Sequence, residues 1–101
     1  MDTDNLVAHA RARFEHSVAR RILREKYQGK LTFAHAGGMW RAGPELITLL
    51  TGRSQADMVV LDLYETPVRV NVPQLLSKAE QHWQEQMNAW LVEYEQLNQN
   101  R

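Results

Sequence analysis

The stretch FAHAGGMWRAGPELITLL, residues 33–50, separates a helical N-terminus from the mixed strand and helix pattern of the remaining chain. KLTFAHA and MWRA flank Gly37 and Gly38, the composition of two short strands joined by a tight turn whose residues need positive φ. Pro44 suits the first turn of a helix, because its φ is already helical and the N–H it lacks would have no partner there. PELITLLTG therefore predicts a short apolar helix of about two turns, stopped by Gly52. The glycine pair could instead cradle a phosphate. That reading needs amides converging on a helix N-terminus, in GxxxxGK[ST] or GxGxxG spacing, and neither occurs. Trp40 is accordingly assigned to packing beneath the short helix rather than to a ligand.

Towards the N-terminus, residues 2–27 carry no proline or glycine, and Asp4 or Asn5 can cap the first amides. Leu6, Val7, Ala10, Phe14, Val18, Ile22 and Leu23 recur near a 3.6-residue period, which predicts an amphipathic helix buried on that side and ended by Gly29. Towards the C-terminus, residues 58–63 read as an apolar strand, apolar on both sides except at Asp62, and so as a central one. A turn around Glu65, Thr66 and Pro67 leads to residues 68–72, where Val68, Val70 and Val72 alternate with Arg69 and Asn71. The two hairpins could join in one four-stranded sheet or remain apart. From Pro73 a last helix, residues 73–98, carries a seam of Leu76, Ala79, Trp83, Met87, Trp90, Tyr94 and Leu97, spaced like a coiled-coil stripe from Trp83 onward. At roughly 40 Å it outreaches strands of ~17–20 Å, so it should project as an interaction element. The fold class expected is α+β in a single domain spanning residues 1–101: helix, hairpin, short helix, hairpin, long helix, with a small antiparallel sheet covered by the terminal helices.

The composition narrows the function. An apolar content of 44% with 24% charged residues fits a globular chain, and no run approaches the ~18 apolar residues of a membrane span. With no basic-then-apolar start, a cytoplasmic location is expected. The absence of cysteine removes disulfides, thiolate nucleophiles and cysteine-held zinc. His9 and His16 lie seven residues apart with Arg13 between them, too far for metal ligands on one face, so neither metal nor cofactor is expected. Ser54, Asp57, Asp62 and His35 could be drawn as a catalytic set, but no nucleophile elbow or convergent acid and base accompanies them, and the chain reads as no enzyme.

Net charge is zero but unevenly placed: residues 1–30 carry +3, residues 31–72 carry −1 and residues 73–101 carry −2. The two ends should lie together, within one chain or between copies. The leading expectation is an interaction protein that self-associates, as a dimer in the simplest case, through Trp83, Met87, Trp90, Tyr94 and Leu97. The alternative is nucleic-acid binding by the face bearing Arg13, Arg20, Arg21 and Arg24.

The arrangement F-x-H-x-G-G-x-W-x-x-x-P-E-L-I at Phe33 to Ile47, the VVLDLY-x-x-P-V-x-V-N segment at residues 59–71 and QEQMNAW at residues 84–90 resemble small uncharacterised proteins of tailed bacteriophages. The resemblance spans residues 30–97. It implies an assembly factor, a minor structural protein or a protein acting on a host component, in the host cytoplasm, and it carries no catalytic residues.

Overall fold

The computed structural model describes residues 3–53 and 55–99. The chain runs α1 (Thr3–Lys30), β1 (Thr32–His35), β2 (Gly38–Arg41), α2 (Pro44–Leu50), β3 (Asp57–Leu61), β4 (Pro67–Asn71) and α3 (Val72–Gln99). This is the α+β order expected. Strands β1 and β2 pair antiparallel, as do β3 and β4, and the hairpins form two separate two-stranded sheets. Its radius of gyration is 19.5 Å, against about 13 Å for a compact chain of this length. With extents of 67 × 23 × 20 Å, the molecule is a compact head carrying a long helical arm.

The head is built on the first hairpin. His35 pairs with Gly38, so the two turn residues are Ala36 and Gly37, at φ 54° and 82°. Two successive positive φ values mark the turn type whose twist matches that of the flanking strands. The expected Gly37–Gly38 turn is thus displaced by one residue, and the two glycines have different roles. Gly37 supplies the turn, whereas Gly38 lies in the strand where a Cβ would sit 3.2 Å from Trp40 and Val68 and 3.3 Å from Asp62. Trp40 is buried with Leu50, Val60, Val70, Val72 and Leu75, and its indole N–H donates to the His35 carbonyl at 2.9 Å. Pro44 begins α2 and Gly52 takes φ 79° just beyond it, as the sequence implies.

Strand β3 is not central. Among the described residues its one ladder partner is β4, and Val59 and Leu61 are exposed while Val60 is buried. The apolar run misled because one of its faces meets the core and the other meets water. Asp62 ends the strand and organises the turn after it. Its Oδ1 accepts the amides of Tyr64 and Thr66, and Glu65 takes φ 63° in the turn they define. Asp62 Oδ2 accepts the Met39 amide at 3.1 Å, and the Leu63 amide donates to the Met39 carbonyl at 2.8 Å. The second hairpin therefore docks on the first through its loop.

Both long helices differ from expectation at their ends. The described part of helix α1 begins at Thr3. It runs through Gly29 to Lys30. His82 of α3 explains that extension: its Nε2 lies 2.6 Å from the Lys30 carbonyl, and since a carbonyl only accepts, this nitrogen carries the proton and donates. A terminal carbonyl that glycine would have satisfied through a local turn is met from the neighbouring helix. Helix α3 opens one residue before Pro73, with Asn71 accepting the Gln74 amide as its cap. Among the described residues no helix is long and apolar enough to cross a membrane.

Candidate functional site

The arm consists of α1 and the C-terminal half of α3, packed antiparallel. Tyr27 stacks on Trp90 with ring centroids 6.0 Å apart and planes 7° from parallel. Lys26 bonds Glu93 at 2.8 Å, and the Arg20 guanidinium lies over the Tyr94 ring at 5.7 Å. Tyr27 is buried, and Lys26 and Lys30 place ammonium groups 5.2 and 5.3 Å from its ring centroid. Glu93 is held below the usual carboxylate range by its bond from Lys26, which in turn is raised by the same bond. Burial pushes the Tyr27 phenol up, and the neighbouring Glu93 adds to that direction.

Trp90 and Tyr94 of the expected association seam thus meet α1. Trp83, Met87, Trp90, Tyr94 and Leu97 are all half-buried, neither sealed nor open. The buried side of α1 is a correction. At about 100° per residue, His16, Leu23 and Tyr27 share the side that meets α3, and all three are buried or half-buried. Val7, Phe14, Val18 and Ile22 lie roughly 120–180° around the helix from it. Val18 is half-buried, while the other three face outward, with Val7 at 49%, Phe14 at 69% and Ile22 at 57% exposure. Leu6, from the same expected stripe, is 57% exposed. The period was that of an apolar stripe, but the stripe that α3 covers is a shorter one, centred on Leu23 and Tyr27. Tyr27, close to a glycine near the helix end, carried no signal in the sequence beyond its place one turn after Leu23.

From Asn5 to Glu15 every residue of α1 is exposed, since α3 ends alongside the middle of α1. Arg13 stands in this uncovered part. Arg20, Arg21 and Arg24 instead line a groove with Ser17, Trp90 and Tyr94. The structure therefore brings together two sets of residues that the sequence kept apart, the arginines of α1 and the aromatics of α3. Among the described residues none of Arg13, Arg20, Arg21 and Arg24 has a carboxylate within ion-pair distance, Lys26–Glu93 being the one such pair.

The described members of the catalytic set drawn from the sequence are not joined to one another. Ser54 lies outside the described residues, and among those described no hydrogen bond or ion pair links His35, Asp57 and Asp62. The Asp62 carboxylate is held below its usual range by the amides of Thr66, Met39 and Tyr64, in that order, against an opposing effect of desolvation. That is the environment of a turn anchor rather than of a base. No group of three His, Asp or Glu side chains converges as metal ligands among the described residues. A second concavity, of about 570 Å³, separates α2 from β3, with Trp40, Leu46, Leu49, Leu61 and Leu63 among its walls and Arg41 at its edge.

Comparison of the chain with family models, curated proteins and solved structures returned no match.

Proposed function

We propose that the chain is a non-catalytic interaction protein that self-associates through its arm. The observation that carries this reading is the outward stripe of Val7, Phe14 and Ile22, large apolar side chains about half exposed or more, Ile22 opposite the side packed on α3 and the other two on the stretch that α3 does not reach. The partner of choice is a second copy. Thr3–Lys30 holds seven bases against three acids, a net of +4, while Val72–Gln99 holds one base against four acids, a net of −3. Internal pairing uses Lys26 and Glu93, leaving Arg11 and Arg21 beside the apolar stripe. On α3, the exposed Leu91 and Val92 share with Glu85 and Glu95 the side turned away from Trp90. An apolar centre edged by bases on one helix fits an apolar centre edged by acids on the other. A two-fold arrangement uses both contacts twice, as an isologous dimer does.

Burying one large side chain contributes roughly 1.5–3 kcal/mol, so the stripe and its counterpart on both copies can offset an association cost of about 4–15 kcal/mol. In the phage setting that the sequence resembles, such an arm would serve assembly or a host contact.

Light scattering tests the reading. The wild-type chain should show twice its 11.7 kDa mass, and Phe14→Glu combined with Ile22→Glu should return it to a single chain with its helical circular dichroism intact. A wild-type mass of one chain at high micromolar concentration, or an unchanged dimer in the double variant, would overturn it.

A further inference from the structure

We infer that the groove between the two arm helices is a binding site for single-stranded nucleic acid, a role separate from the outward stripe that drives association.

The argument begins with charge. Arg13, Arg20 and Arg24 fall at steps of seven and four residues, so they form a row along one line of α1, about 10 Å and then 6 Å apart. Among the described residues no carboxylate neutralises any of them, although α3 supplies Glu93 to nearby Lys26. Three like charges in a row repel one another, and a helix that only needed solubility would interleave acids there. A row of guanidinium groups lacking counter-charge is suited to a string of phosphates, which it can grip two N–H groups at a time.

The aromatic wall narrows the ligand. Arg20 lies over Tyr94, which leaves the edge of its guanidinium, where the N–H groups point, available to an anion. Trp90 and Tyr94 line the groove beside the arginines. With one face of Trp90 taken by Tyr27 and one of Tyr94 by Arg20, a base beside each phosphate meets the part of these rings left open in the groove, which an acidic peptide would leave idle. Bases reach an aromatic surface when they are unpaired, so the wall selects single strands over duplex. The row continues to Arg13, about one turn beyond the groove, which favours a polymer over a lone nucleotide.

Fluorescence anisotropy of a labelled single-stranded oligonucleotide, titrated with the full chain, tests the inference. With three phosphates neutralised, affinity should fall roughly 20-fold between about 50 and 200 mM salt. Arg20→Glu with Arg24→Glu should lower affinity at least ~10-fold and flatten the salt response, while Arg69→Glu on the exposed side of β4 should leave it unchanged. Arg13→Glu, at an exposed position without a hydrogen bond or ion pair among the described residues, gives a smaller loss and stands in should the double variant fail to fold. Arg21 is left in place because it borders the association stripe, and light scattering of each variant at the assay concentration keeps a change in mass distinct from a change in binding. Absence of binding at low salt, equal affinity for the matching duplex or for polyglutamate, or an Arg20→Glu, Arg24→Glu variant indistinguishable from Arg69→Glu would each overturn the site.

Discussion

In the head, Trp40, Leu50, Val70 and Leu75 are sealed from water on every side, and the one carboxylate that bridges the hairpins among the described residues, Asp62, answers three backbone amides. In the arm, Val7, Phe14 and Ile22 face solvent, and Arg13, Arg20 and Arg24 stand without a carboxylate among the described residues. The two regions draw on similar residue types and end in opposite states. The head seals a core of its own, even though Val59, Leu61 and Tyr64 stay exposed on it, whereas two helices side by side can cover only one side of each other. The surface left open on the arm is what both proposals use.

The contrast can be broken most forcefully by truncating one large apolar residue in each region. Trp40→Ala should cost about 3–5 kcal/mol, a large part of a small domain's stability, while Phe14→Ala should change stability by no more than ~0.5 kcal/mol at dilutions where the chain is single. Urea midpoints measure both. A loss for Phe14→Ala as large as that for Trp40→Ala would mean that the arm has a core of its own.

Glycine substitutions sharpen the same contrast at a smaller scale. At Gly38 an added methyl meets Trp40, Val68 and Asp62 at 3.2–3.3 Å, so Gly38→Ala should destabilise by about 1–3 kcal/mol. At Gly29, inside α1, a methyl meets nothing within 4 Å, and Gly29→Ala should raise stability by roughly 0.5–1 kcal/mol through better helix propensity. The two changes should move the thermal midpoint in opposite directions.

The smallest effect is electrostatic. Because the folded state lowers the Asp62 pKa, first through the Thr66 amide, the stabilisation is complete above the ordinary value of 3.8 and is lost as pH falls through the lower folded value. The thermal midpoint of the wild type should therefore drop on acidification below about pH 4, and that of Asp62→Asn should drop less. Glu93, lowered by Lys26, contributes with the same sign in both proteins, so the difference between them isolates Asp62. Equal acid sensitivity would show that Asp62 does not tie the hairpins together as a carboxylate.

Much of the fold was legible because local chemistry dictated it. Pro44 and Gly52 bracket α2, alternation at Val68, Val70 and Arg69 orients β4, and the seam from Leu76 to Leu97 carries α3 as one helix. Misreadings arose where a distant residue overruled a local preference. His82 allowed α1 to continue past Gly29, and the approach of Val68 and Asp62 moved Gly38 out of the turn and into the strand. In the candidate site, the arginines and the aromatics were each visible as stripes, but their meeting in one groove was not.

Periodicity states which residues of a helix share a side, and by itself it settled that α1 and α3 are amphipathic and that the chain is α+β. It is silent on which side a neighbour will take. Helix α1 has two candidate sides, and the choice of the one bearing Leu23 and Tyr27 came from the stack on Trp90, the Lys26–Glu93 bond and the His82 contact, all made across more than fifty residues of chain. Tertiary packing alone made that choice, because the energy of a contact depends on which surfaces meet and not on how either is spaced.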